Sequence, residues 1–225
     1  MKTPALGLGL MLLLPALYGC KAEIESEITV LDLLYGKTKM LTAEFYTEVL
    51  DCQQPSPDGD RPGSLAKRRE TIAAIFPDAE YHGCGERAGR PMAHFTVPIA
   101  FDKDRDGVLT SDDHVNLVST DDAFLMIAVP SSLKRRIEAV ADDDIRARTV
   151  QLDAQLKIAN DHGNTLPFQV FSVYIDGRPY IFGDAALAEG ATLALQLSDV
   201  AIDSAIEKGS AILMMRARAG EADKL

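Results

Sequence analysis

Apolar and polar positions alternate along much of this chain. Residues 22–30 place Ala22, Ile24, Ser26, Ile28 and Val30 on one side and Glu23, Glu25, Glu27 and Thr29 on the other, the period of two of a half-buried strand. After the turn Tyr35-Gly36-Lys37, residues 40–50 repeat the pattern. Leu41, Ala43, Phe45, Thr47 and Val49 oppose Thr42, Glu44, Tyr46 and Glu48. Two such runs predict an antiparallel hairpin with its acidic face to water. Pro55, Pro57, Pro62, Gly59 and Gly63 mark the next stretch as an exposed loop. Beyond it, Leu65, Ile72, Ile75 and Phe76 share a helical face, Ser64 is a candidate cap, and Pro77 stops the helix.

Further strands are predicted near residues 80–85, 93–101 and 123–129, the last a continuous apolar run ended by Pro130. Leu133, Ile137 and Val140 give a helix capped by Ser131 or Ser132 and ended at Asp142-Asp143-Asp144, whose charge opposes the macrodipole. Strict alternation returns at 150–158. Asn160 to Asn164 form a hairpin loop, 168–175 a returning strand, Asp176-Gly177 a turn and 179–182 a short strand. A strand at 192–197, a helix at 199–208 between Ser198 and Gly209, and a strand at 211–218 complete the chain. The sum predicts an α+β fold, a largely antiparallel sheet with about three helices. One domain over 20–225 is expected, with a possible subdivision near 102–120.

Ahead of this domain, Lys2 and the apolar run Leu6 to Leu17 have the layout of a secretory signal. Its end, Leu17-Tyr18-Gly19-Cys20, resembles the lipobox of bacterial lipoproteins. The resemblance implies removal of residues 1–19 and lipidation of Cys20 by a diacylglycerol and an amide-linked acyl chain such as palmitate. It also implies tethering of the folded body to an envelope membrane. Lys21 stands where an Asp would favour inner-membrane retention in enteric lipoproteins, which implies the outer membrane, facing the periplasm. The whole is similar to small uncharacterised bacterial lipoproteins.

Charge and cysteine usage sharpen this. A formal charge of −11 argues against nucleic acid and against adhesion to anionic headgroups, so the lipid does the anchoring. With Cys20 lipidated, Cys52 and Cys84 are left as an even pair in an oxidising compartment, and a structural disulfide is expected. The alternative, a metal or redox pair, lacks CxxC spacing.

Asp102-Lys-Asp104-Arg-Asp106-Gly107-Val108-Leu-Thr110-Ser-Asp-Asp113 resembles the twelve-residue calcium loop of EF-hand and dockerin modules. The match implies Ca2+ ligation by Asp102, Asp104, Asp106, the Val108 carbonyl, Thr110 through water, and Asp113 at the position where an EF-hand has Glu. The preceding strand and the single copy imply a structural clip rather than a full module. His82, His94, His114 and His162 have no metal-ligand spacing, and no nucleophile elbow, phosphate loop or dinucleotide fingerprint occurs. The expectation is a non-catalytic envelope lipoprotein with a binding or structural role, engaging the membrane through its lipid and an envelope protein as partner. The alternatives are a periplasmic carrier of an apolar ligand and a carboxylate-based cell-wall or glycan hydrolase.

Overall fold

Alternation is strictest in the strands that lie side by side. A computed structural model describes residues 21–53, 63–103, 110–143 and 151–217. In chain order the elements are β1 (Lys21–Thr29), α1 (Val30–Tyr35), β2 (Lys39–Glu48), α2 (Ser64–Ile75), β3 (Glu80–Arg87), β4 (Arg90–Lys103), β5 (Val115–Ser119) and β6 (Leu125–Ala128). They continue with α3 (Ser131–Asp143), β7 (Gln151–Ala159), β8 (Leu166–Ile175), β9 (Arg178–Leu187), β10 (Thr192–Leu197), α4 (Asp199–Lys208) and β11 (Ser210–Arg216).

The expected α+β fold on an open, largely antiparallel sheet is corrected by the pairing. Strands run in the order β10-β7-β1-β2-β4-β5-β6-β11-β8, and β8 pairs back to β10, closing a nine-stranded barrel. Strand makes up 53% of the described residues and helix 23%, which puts the protein in a β class. Closure depends on β8, which pairs with β11 through Phe168–Val170 and with β10 through Val173–Ile175. Ser172, between the two halves, has a φ of 50°. The two neighbours β1–β7 and β4–β5 are parallel. Such long-range pairings leave no trace in local periodicity. β3 pairs with β4 and β9 with β8, both off the ring.

The ring has two distinguishable ends. Ala22 faces Thr47 and Leu152, so the Lys21 end also holds the end of β2, the start of β4 and the start of β7. The opposite end holds Thr29, Lys39, Phe101 and Ala159. There the chain turns into α1, which the local pattern did not predict. Its start is a capping box: Thr29 Oγ1 accepts from Asp32 N (3.2 Å) while Asp32 Oδ2 accepts from Thr29 N (3.4 Å). Val30 and Leu33 of this helix are 0% exposed, and it closes the Thr29 end.

Apolar side chains line the inside of the ring. Phe101, Phe124, Phe168, Ile158, Leu195 and Leu213 are fully buried, each stabilising by about 1.5–3 kcal/mol relative to exposure. Glu23, Glu25, Glu44 and Glu48 point outward. An apolar inside and a charged outside invert the polarity of a membrane-spanning barrel. Among the described residues no helix is long and apolar enough to cross a membrane.

Two predicted caps are replaced. Ser64 lies inside α2, whose N-cap is Gly63, and its hydroxyl meets the Asp51 backbone (3.4 Å). Ser132 Oγ donates to the Asp112 carbonyl. Ser198 caps α4 as expected, accepting from Ala201 N at 3.2 Å, and Gly209 ends it at φ 87°, where a side chain would be strained.

Candidate functional site

Three helices gather at the Lys21 end. α2, α3 and α4 turn Ile72, Ile75, Ile137, Val140, Ile202 and Ile206 toward one another over the barrel mouth. They do not fill the space between them. A cavity of about 590 Å³ lies there, its floor formed by Ala22, Phe45, Thr47 and Leu152 of β1, β2 and β7. It adjoins a second hollow of about 120 Å³ inside the ring, and the two share Phe45, Phe76, Ile137, Leu152, Ile202 and Ile206 as walls. The inner hollow is lined by side chains such as Ile24, Ile99, Leu117, Ile127, Leu156 and Leu213, which come from strands all around the barrel. Their summed volume falls in the range of small-molecule sites, about 300–1,000 Å³.

The outer rim has the opposite chemistry. A pocket of about 550 Å³ joins the apolar cavity at Gln151, Leu152 and Asp199. Arg87 organises it. Its Nε donates to Glu23 Oε2 at 2.8 Å, its Nη2 donates to Glu25, and its guanidinium lies 4.0 Å from the centre of the Tyr46 ring. Lys21 Nζ donates to Glu23 Oε1 at 2.7 Å and lies 3.7 Å from Asp153. Arg90 pairs with Glu48 at 3.2 Å, and Gln196 donates to Asp153 at 2.8 Å.

Burial pushes the Glu23 carboxyl up, but Lys21 and Arg87 together outweigh it and hold the group below its ordinary range. The hydrogen bond it donates to Glu23 raises Lys21 above its usual value against the cost of burial. Burial acts to lower Arg87, and Glu25 and Glu23 more than restore it. Glu23, Lys21 and Arg87 are therefore each held in their charged forms by one another.

The predicted site residues are placed as follows. Cys52 and Cys84 are joined in a disulfide, as expected, tying the chain after β2 to β3 and bracketing α2. Cys20 lies outside the described residues, one position before β1. Asp104, Asp106 and Val108 of the calcium motif also lie outside them. Asp102 Oδ1 accepts from Thr38 Oγ1 at 2.7 Å, and Asp113 is held by Arg136 at 2.9 Å. Asp102 stands level with Val118, near the far end of β5 from Asp113, so roughly 15 Å at 3.3 Å per residue separates them. Among the described residues these two are not brought together. Thr110 Oγ1 is buried with no hydrogen-bond partner among the described residues. His94 lies 2.5 Å from Glu44, stacks on Tyr46 at 4.5 Å and approaches His82 at 5.1 Å. No group of three or more His, Cys, Asp or Glu suited to a metal occurs among the described residues.

The cavity was not read from the sequence. Its signal was present as apolar faces on three short helices, Ile72/Ile75, Ile137/Val140 and Ile202/Ile206, which look the same whether they fill a core or border a void. Arg87 sits in a Gly/Arg-rich turn, where nothing marked it as the centre of an ion network.

Fold and site together define a helix-capped β-barrel with an apolar lumen and a charged mouth. The chain belongs to the family described as Domain of unknown function (DUF7424), whose model matches residues 22–219. No curated protein and no solved structure matches it.

Proposed function

We propose that this chain is a non-catalytic bacterial envelope lipoprotein, anchored through Cys20 to the outer membrane and facing the periplasm, and that its barrel carries an apolar ligand. The observation that supports carriage is the cavity between α2, α3 and α4, adjoining a lumen lined almost wholly by apolar residues. A structural protein has no use for such a void, because filling it with side chains would add stability. A hydrolase reading needs facing carboxylates, one with a raised pKa. Among the described residues, Glu23 and Asp32 are displaced, and both are lowered.

Full-length protein purified from its host envelope and extracted with organic solvent should release an apolar compound stoichiometric with the chain. Ile202→Glu, which puts a charge in the cavity wall, should abolish that release, and Leu31→Glu on exposed α1 should not. Equal recovery from all three forms would reject the carrier reading. Intact-mass analysis of the same sample should give a chain that starts at Cys20 and bears acyl groups; an unmodified chain starting at Met1 would reject the anchor. Calcium held by Asp102, Asp104, Asp106, Val108, Thr110 and Asp113 remains part of this reading. A melt with calcium against chelator tests it, and an unchanged Tm would remove it.

A further inference from the structure

We propose that the cavity mouth faces the bilayer and that the ligand is a single-tailed amphiphile with a zwitterionic head, drawn from the leaflet in which the chain is anchored. This rests on the carrier reading above and deepens it.

The direction follows from the start of β1. Lys21 is its first residue, so no linker separates Cys20 from the barrel. A lipid on Cys20 pins the Lys21 end to the membrane surface. Ala22, in the cavity wall, is two residues from that lipid, about 7 Å of extended chain. That end, like the Thr29 end with Leu31, Tyr35 and Met40, leaves apolar groups uncovered, so the anchor rather than exposure sets the direction. Val200, on the first turn of α4 beside Asp199, is 68% exposed, and Tyr174, in the wall of the charged pocket, is 36% exposed.

The ligand class follows from the two adjoining pockets. The two adjoining hollows, about 590 Å³ between the helices and about 120 Å³ in the lumen, have room for one acyl chain rather than two. The pocket beside it holds Lys21, Arg87 and Arg90 with Glu23, Asp153 and Asp199, three charges of each sign. Its cations already have carboxylate neighbours, so a purely anionic head would meet repulsion as well as attraction. A head with both a phosphate and an ammonium can match both.

The chain has no Trp, which makes an introduced indole a unique reporter. Full-length, host-lipidated Ile206→Trp protein in dioleoylphosphatidylcholine vesicles is titrated with lysophosphatidylcholine brominated in its acyl chain, and separately with brominated stearate. The cavity indole should lose more than half its emission with the lysolipid, at about tenfold lower probe concentration than with stearate, and Arg87→Gln should erase that preference. An indole from Leu31→Trp, at the closed end, should keep its emission. In vesicles of brominated diacyl phosphatidylcholine, an indole from Val200→Trp should be quenched. Equal quenching by stearate would overturn the zwitterionic head while leaving carriage intact. An unquenched Val200→Trp indole would overturn the membrane-facing mouth. Absence of quenching at Ile206→Trp with every probe would take down the carrier reading itself. Ile137→Trp, on the facing helix, reads the same cavity should Ile206→Trp fail to fold.

Discussion

The two ends of the barrel solve the same closure problem differently. At the Thr29 end one helix of six residues seals the lumen, and its start is satisfied by a capping box. Ser119, 0% exposed, donates to the Leu33 carbonyl at 2.7 Å, and Asp161 accepts from Leu31 N at 2.8 Å. Asn160, 3% exposed, donates to the carbonyls of Asn164, Leu187 and Ala188 within 3.0 Å, so its single amide joins the turns on either side of β8 and β9. At the Lys21 end three longer helices leave a void. Dense packing and these hydrogen bonds make the closed end the source of stability. The loosely filled end is where a ligand can enter without breaking the fold.

Large-to-small substitutions should separate the ends most strongly. Leu33→Ala should cost about 2–5 kcal/mol in urea unfolding, since it opens a hole in a packed plug. Ile206→Ala, beside existing empty space, should cost about 1 kcal/mol or less; equal losses would erase the distinction. The disulfide braces the open end. Replacing both Cys52 and Cys84 with Ala, or adding reductant, should remove about 2–4 kcal/mol, read as a lower urea midpoint. A smaller effect is expected at the helix start of the closed end, where Thr29→Ala breaks the capping box for about 1 kcal/mol.

The smallest difference lies in acid. Asp32 at the closed end is pushed up by burial but held lower by Lys39 and Thr29, and Glu23 at the open end is likewise depressed. A folded pKa below the unfolded one adds stability that is complete above the ordinary carboxylate values, 3.8 for Asp32 and 4.5 for Glu23. That stability disappears as pH falls through the folded values. Asp32→Asn should therefore lower stability at neutral pH and flatten its decline in acid, as seen in urea midpoints between pH 7 and 3.

The alternation of β1, β2 and β7 was legible because each strand has one face in the lumen and one in water. The α4 boundaries were legible because Ser198 and Gly209 are local devices. α1 is hidden behind Val30, which completes the strand pattern, although Thr29-Val30-Leu31-Asp32 holds the capping signature. β5 is hidden in the segment 102–120, where only a possible subdivision is expected, since a five-residue strand beside an acidic turn has little period to show. β9 was cut short at Phe182 because the alternation fails there. Val170 and Val173, an odd number of residues apart, are both buried, and on β9 Ile181 and Phe182, which lie between their partners Tyr180 and Gly183, are both exposed. Gly183 follows, where a Cβ would lie 2.8 Å from the Tyr180 ring. The acidic faces of β1 and β2 were read as a wet surface. They hold Arg87, a contact that depends on β3 lying next to β4 and not on anything in their own pattern.

The parallel pairing of β1 with β7 also bears on how the molecule is made. β1 emerges early, but its partner residue to Lys21 is Gln151, and β8 and β10 lie later still. The ring stays unzipped until most of the chain has been delivered, and contacts so distant in sequence form slowly. Throughout that wait one side of β1 offers bare backbone to any passing strand. Glu23, Glu25 and Glu27 line it with negative charge, which repels a second copy of itself during the interval before β7 arrives.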